Sequence, residues 1–396
     1  MKVIVAMSGG VDSSVAAALL KEAGYQVIGA SMQIWLRDKQ GQAADRFGGC
    51  CGLDAVEDAK KVAYKLGIPH YVINFGDIFA QKVIAYFCRE YRRGRTPNPC
   101  IRCNQYIKFG ALLEKAKELG ADFIATGHHA RIERDRATGR YLLKKGVDIS
   151  KDQSYFLYPL TQEQLSHTLL PVGSYRKEHI REIARQLGLP VAAKPDSQEI
   201  CFIPDNDYKS FLNEHAPQAT RPGPIVDKDG NILGRHKGII FYTIGQRKGL
   251  GIAAPAPRYV IGIKPEENAV VIGSKEDVYG TELIASGLNW ISPATLTKPL
   301  TVNAKIRYRH QEAEAKVTPL DETRVYVKFT EPQLAITPGQ AVVFYQGDTV
   351  IGGGTIEPVN SPGKGCSLRS NRAGVARSPS LSSATFASGL SGSAHQ

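Results

Sequence analysis

The chain begins with a strand-to-helix junction that leaves few folds open. An apolar run, Lys2-Val3-Ile4-Val5-Ala6, meets Met7-Ser8-Gly9-Gly10-Val11-Asp12-Ser13, and a run of good helix formers, Ser14 to Leu20, follows. A buried strand that turns through two glycines into a helix is the opening unit of a parallel α/β sheet. It is also an anion site. Gly9 and Gly10 let the backbone approach a phosphate, and the helix start offers unpaired N–H groups at the positive end of its dipole. Ser8 and Ser13 add hydroxyl donors, and either is a candidate helix cap. Asp12 is the discordant residue. A bare acid beside phosphates points to a nucleotide bridged by Mg2+. The chain contains no G-x-x-x-x-G-K-[ST], so this is not a Walker A loop.

The first ~200 residues alternate strand-like and helix-length segments, as a doubly wound parallel sheet requires. Expected strands are Lys2–Met7, Gln26–Met32, His70–Asn74 and Asp122–Thr126. Expected helices are Ser13–Glu22, Asp54–Leu66, Phe79–Tyr91, Ile107–Leu119 and His179–Leu187, with Gly24, Gly67, Gly120 and Gly188 at C-terminal cap positions. Arg131–Val147 reads as a hairpin. Composition shifts after Pro204 toward Gly and Pro, which marks a small mixed domain over 205–275. Five β-branched runs between 276 and 358 suit a small antiparallel barrel. Segment 359–396 has ten serines among 38 residues and little to bury, the composition of a disordered tail.

The net charge is +12, and the tail's four basic residues account for only part of it, leaving +8 without them. A polyanionic partner is the expectation. No apolar run approaches a membrane span and no signal peptide is evident, so a cytoplasmic protein is expected. Seven cysteines in a chain of this kind argue for reactive or metal-binding thiols over a disulfide scaffold.

A second constellation lies at Arg92–Cys103, which reads R-R-G-R-T-P-N-P-C-I-R-C. Tyr86 to Lys108 holds six basic residues and one acid, Glu90. Pro97 and Pro99 oppose helix locally, so an exposed, stiffened loop is expected. Such a loop grips phosphates through arginine and presents a thiol whose pKa neighbouring cations lower. Cys103 beside Arg102 fits that description. Cys100-x-x-Cys103 is only half of a zinc site, and no second C-x-x-C or spaced His pair completes it. Cys201, between Ile200 and Phe202, is by residue type a small core hydrophobe.

The S-G-G-x-D-S loop at 8–13 resembles that of ATP pyrophosphatases. The wider chain, from Met1 to about Pro358, resembles the tRNA-specific 2-thiouridylases. The resemblance rests on M-S-G-G-V-D-S at 7–13, G-R-T-P-N-P-x-x-x-C at 94–103, Y-I-K-F-G at 106–110 and T-G-H-H-A at 126–130. It continues through K-D-Q-S-Y-F-L at 151–157, D-S-Q-E-I-C-F-I at 196–203, G-Q-R-K-G-L-G-I at 245–252, R-Y-R at 307–309 and G-G-G-T-I-E at 352–357.

That family implies adenylation of the wobble uridine C2 oxygen by ATP, then attack by a persulfide sulfur. By position, Cys103 matches the nucleophile and Cys201 the persulfide carrier, two residues that can close a disulfide as the sulfur leaves. Ala6, Met7, Ser8, Gly9, Gly10, Val11, Asp12, Ser13, Met32 and Gly127 match ATP contacts. Asn98, Pro99 and Cys100 match the stretch that holds the target base. His128, Lys151, Asp152, Gln153, Arg307, Tyr308 and Gln340 match tRNA contacts. The implied partners are a tRNA with a wobble uridine and a persulfide donor, either a cysteine desulfurase or a relay protein. Some family members carry Asp at the position of Cys100. Three cysteines here leave a second route open, in which Cys100, Cys103 and Cys201 hold a [4Fe–4S] cluster. Other ATP pyrophosphatases, such as tRNA lysidine synthetases and GMP synthetases, need no such cysteine pair.

Overall fold

A computed structural model describes residues 1–34, 52–196, 200–203, 207–216 and 220–358. The expected disordered tail, Cys50, Cys51, Cys366 and Ser197–Glu199 lie outside the described residues.

Five parallel strands form the N-terminal sheet: β1 (Lys2–Ala6), β2 (Gln26–Gln33), β3 (His70–Asn74), β4 (Phe123–Ala125) and, after a hairpin of β5 (Ala130–Arg134) and β6 (Tyr141–Lys145), β7 (Thr168–Leu169). Their order is β3-β2-β1-β4-β7. β1 is central and its residues Val3–Ala6 are buried, so it carries no polar alternation. Its C-terminal end opens where the strand order reverses, between β2 and β4, the place at which open α/β sheets bind ligands.

Helix α1 (Val11–Glu22) returns antiparallel from that end, and α2 (Leu53–Leu66) follows β2. The apolar face of α2 at Ala59, Val62 and Ala63 packs into a core shared with β1 and α1, and Ala55 and Val56 are buried one turn earlier. Gly67 ends α2 in the left-handed conformation, as its position at a helix end requires.

The expected helix 79–91 is longer, running from Gly76 to Arg92 through one π-helical stretch at Ala80–Ile84. The expected helix 107–119 begins earlier still. The chain is helical from Pro99 to Cys103, π-helical over Asn104–Ala111, and α-helical over Leu112–Glu118. This corrects the exposed loop expected around the two prolines. Pro99 occupies the first helical turn, where a missing N–H costs nothing, and both Pro97 and Pro99 are buried.

The central region forms a four-stranded mixed sheet from Gly223–Val226, Ile232–His236, Tyr259–Lys264 and Ala269–Gly273. Beyond it, Tyr279–Trp290 pairs with both Arg324–Leu334 and Thr349–Ile356, which closes six antiparallel strands into a barrel. Tyr279–Trp290 is the strand that composition did not reveal. Its residues Gly280, Thr281 and Glu282 interrupt the apolar alternation at a bulge. The hairpin β5–β6 forms, but on the barrel: β6 pairs with Thr349–Ile356 through Thr349↔Lys144 and Val350↔Leu143.

Candidate active site

The glycine turn sits at the C-terminal end of β1. Gly9 has φ +63°, and a Cβ there would lie 2.2 Å from the carbonyl oxygen of Ala55, so only glycine fits. Helix α1 starts at Val11 with Gly10 as its cap and no side-chain capping bond. The expected Ser8 or Ser13 cap does not form. Instead the Ser13 hydroxyl accepts from the Ser8 N–H at 3.1 Å and donates to the Gly10 carbonyl at 3.2 Å, which folds the turn on itself. The first-turn N–H groups of α1 are thus left to a ligand or solvent. Ala6, Met7 and Val11 are buried behind the turn, and Ser31 Oγ donates to the Met7 carbonyl at 2.9 Å. Met32 is buried at the end of β2. Gly127 closes the opposite wall: a Cβ there would meet the Ser13 nitrogen at 2.5 Å.

Asp12 is not a bare acid. Both of its carboxylate oxygens accept from Lys177 Nζ at 2.7 Å, and His129 Nε2 lies 3.0 Å from Oδ1. Burial pushes the Asp12 carboxyl up, but the hydrogen bond to His129 and the Lys177 charge outweigh it and hold it below the ordinary range. Lys177 also reaches Asp196 at 2.9 Å, and Asp196 is held as well by Lys151 at 2.8 Å and Arg181 at 2.9 Å. Asp196 is pushed down too: burial opposes ionisation, and the hydrogen bonds and charges of Lys151 and Lys177 override it. A second lysine, Lys194, donates to the Gly9 carbonyl at 3.1 Å and to Asp58 at 2.7 Å. Lys177, Lys194 and Asp58 escape a sequence reading because each is a single charged residue on an ordinary helix or loop; only folding brings them to the glycine turn.

The short helix Pro99–Cys103 presents the thiols. Asn98 caps it, accepting from the N–H groups of Cys100 at 3.1 Å and Ile101 at 3.4 Å. Pro99 is buried, Cys100 is exposed and Cys103 is half-buried. The Arg102 guanidinium lies over the Tyr86 ring, 4.2 Å from its centroid, and donates to Gln105 and Tyr106. Cys201 is half-buried, at the edge of the same hydrophobic core as Cys103. Its neighbour Phe202 packs edge-on against Phe79 and Phe87 at 5.5 Å each. The helix Pro99–Cys103 packs on Ala80–Ile84. Both cysteine segments therefore dock on one helical stretch, Gly76–Arg92. Arg95 is engaged within the fold, 3.0 Å from the buried carboxylate of Glu90, while Arg92 and Arg93 are exposed, Arg93 lying 3.7 Å from that same carboxylate.

The residues matched to tRNA contacts divide in two. His128 is buried, its Nδ1 2.7 Å from Thr126 Oγ1 and its ring against Phe109; burial pushes its pKa well down, so it is neutral. Asp152 is buried and accepts from the N–H groups of Gly146 and Ser154, which pins its turn. Gln153 accepts from the His129 N–H at 2.9 Å. Lys151, Arg307, Tyr308 and Gln340 are partly exposed. Tyr308 packs on Phe156 at 4.3 Å between centroids, and the Phe156 carbonyl accepts from Asn104, the residue after Cys103. Gln340 donates to the Thr96 carbonyl at 2.9 Å. The barrel, the 151–157 turn and the cysteine helix thereby meet along one line. Two buried polar atoms there have no partner among the described residues, Asn104 Oδ1 and His129 Nδ1.

Three family models match the chain: a "tRNA methyl transferase HUP domain" over 1–205, a "tRNA methyl transferase PRC-barrel domain" over 209–274 and an "Aminomethyltransferase beta-barrel domain" over 280–356. Among curated proteins, the tRNA-specific 2-thiouridylase MnmA of Heliobacterium modesticaldum is 61% identical over 89% of this chain and 92% of its own length. MnmA 2 of Caldanaerobacter subterraneus is 59% identical over 90% of this chain and 98% of its own. The enzyme of Clostridium kluyveri is 56% identical over 90% and 99%. Similarity of that extent runs through all three structural regions, and it fixes the assignment more narrowly than the domain descriptions do: the chain belongs to the tRNA-specific 2-thiouridylase family.

Proposed function

We propose that this protein is an ATP-dependent tRNA 2-thiouridylase acting in the cytoplasm on a wobble uridine. Family membership carries the reading, and the exposed helix start at the glycine turn supports it. ATP, taken as its Mg2+ complex, lies with its phosphates on the uncapped first turn of α1, against Ser8–Ser13 and Gly127, with Met32 beside it. Asn98, Pro99 and Cys100 frame the target base. The uridine C2 oxygen attacks the α-phosphorus and pyrophosphate leaves, so that a poor leaving group becomes AMP. The terminal sulfur of a Cys201 persulfide then attacks C2. AMP departs with the former C2 oxygen, and the Cys103 thiolate takes the Cys201 sulfur. The products are 2-thiouridine, AMP and a Cys103–Cys201 disulfide, which an external thiol must reduce. Lys151, Arg307 and Gln340 contact the tRNA backbone and Tyr308 offers a stacking face; His128, Asp152 and Gln153 hold that surface in shape. The persulfide comes from a cysteine desulfurase or a relay protein.

Among the described residues no group of three or more His, Cys, Asp or Glu is placed to hold a metal ion, which favours the two-thiol persulfide route over a [4Fe–4S] cluster on Cys100, Cys103 and Cys201. Asp12 offers the kind of carboxylate that a Mg2+ on the phosphates would use, and in this structure Lys177 fills both of its oxygens. Among the described residues no helix is long and apolar enough to cross a membrane.

The test is to incubate the full chain with Mg2+–ATP, an unmodified tRNA bearing a wobble uridine, and a cysteine desulfurase with cysteine. Nucleoside mass spectrometry should find 2-thiouridine, with pyrophosphate released in step. Pyrophosphate release with 4-thiouridine, or with no thiolated base, would overturn the assignment.

A further inference from the structure

The Lys177 ion pairs present a conflict of charge. Asp12 is the second residue of α1, at the end of the helix that offers its free N–H groups to phosphate. A carboxylate and a polyphosphate at one helix start repel each other unless a cation lies between them. In this structure Lys177 is that cation. Its side chain is only 9% exposed, and its ammonium bridges Asp12 and Asp196. Lys177 is also the cation best placed to leave. Asp196 keeps Lys151 and Arg181 when Lys177 goes, and Asp12 keeps His129. The four-carbon stem of lysine lets a point charge relocate without moving the backbone, which Asp148 fixes by accepting from the Lys177 N–H at 3.0 Å. The other nearby lysine, Lys194, is committed to Asp58 and to the Gly9 carbonyl.

We propose that Lys177 is an exchangeable cation of the nucleotide site: it neutralises Asp12 in the free protein, moves onto the phosphates when a nucleoside triphosphate binds, and so yields the Asp12 carboxylate to the Mg2+ that accompanies them. This rests on the ATP reading above. It explains how Asp12 can serve a metal-bound nucleotide although its oxygens are filled in the free protein. It also makes Lys177 a phosphate ligand supplied from a helix more than 160 residues downstream of the loop.

Two binding measurements on the full chain, without tRNA, test it. Calorimetry with ATP in EDTA reads the phosphate cation, and paramagnetic titration with Mn2+ alone reads the Asp12 carboxylate. Lys177→Met should weaken metal-free ATP by about tenfold or more and strengthen Mn2+ by a similar factor. Lys177→Met with Asp12→Asn should lose the Mn2+ gain. Asp12→Asn alone, which keeps Lys177, should bind metal-free ATP at least as well as wild type yet lose the tightening that Mg2+ confers, so the proposal stays testable where Lys177→Met does not fold. Wild-type affinity for metal-free ATP in Lys177→Met would overturn the exchange, as would Mg2+-dependent tightening that survives in Asp12→Asn. Failure of the wild type to bind ATP in any form would instead remove the nucleotide reading itself, and the exchange with it.

Discussion

At the scale of single residues, the thiols and the glycines make separable demands. Cys103→Ser and Cys201→Ser should each abolish 2-thiouridine formation while tRNA-dependent pyrophosphate release continues, because in the proposed mechanism activation needs ATP and the base whereas sulfur delivery needs both thiols. Cys100 is exposed and the persulfide route uses only Cys103 and Cys201, so Cys100→Ser should retain most activity. Loss of activity and of bound iron together in anaerobic Cys100→Ser would restore the cluster. Gly127 is constrained by space rather than by its own backbone. A methyl group 2.5 Å from the Ser13 nitrogen must push the 126–129 turn off α1. Gly127→Ala should cost about 1–3 kcal/mol of stability and weaken ATP binding more than tRNA binding. Parallel denaturant melts and nucleotide titrations would show it, and unchanged ATP affinity would mean the turn does not border the nucleotide.

Among elements, the helix Pro99–Cys103 depends most on one side chain. It opens a helical run that continues to Glu118, and Asn98 accepts from two of its first-turn N–H groups. Asn98→Ala removes the acceptor for two N–H groups and should cost about 1 kcal/mol. It should also raise the alkylation rate of Cys103, measured by peptide mass spectrometry; an unchanged rate would show that packing alone holds the helix. This element shows where sequence reading stops. Pro97 and Pro99 point away from helix, but proline is tolerated in a first turn, and the asparagine before it supplies the cap. β1, β2 and β4 are legible because buried strands are apolar runs, and β3 is legible although much of it is exposed, whereas β7, only Thr168–Leu169, is too short to show. Tyr279–Trp290 is not, because a bulge breaks its alternation. The glycine turn is legible from local sequence, since its geometry is local. The Asp12–Lys177–Asp196 network is not, because its members come from three separate segments and carry no spacing that marks them.

Over the whole molecule, charge and connectivity decide how tRNA is held. Arg92 and Arg93 are exposed, Arg93 reaching Glu90 only at 3.7 Å, whereas the half-buried Arg95 lies 3.0 Å from the same carboxylate. Arg92→Ala with Arg93→Ala should therefore flatten the dependence of log tRNA affinity on log salt, and adding Arg95→Ala should lower stability more than the slope. An unchanged slope in the double variant would place the tRNA elsewhere.

Connectivity raises a stronger expectation. The hairpin β5–β6 leaves the catalytic sheet and joins the barrel wall, so the two regions share a sheet rather than merely touching. Arg131 pairs with Asp348 at 2.7 Å and Lys145 with Glu312 at 2.7 Å. The fully buried Tyr155 donates to the Ala341 carbonyl at 3.0 Å, and Leu143 and Tyr345 belong to the core that also holds Phe87 and Phe109. A fragment ending at residue 275 would expose that face and leave the edge of β6 unpaired, a template for aggregation. We expect the fragment to unfold at a lower urea midpoint than the full chain, or to aggregate, and to bind ATP weakly because the 126–129 turn leads directly into β5. A fragment that unfolds at the full chain's midpoint and binds ATP as tightly would show the barrel to be an appended tRNA-binding module. The pairing of β6 with Thr349–Ile356 argues instead that the barrel is the missing half of the catalytic domain's own core.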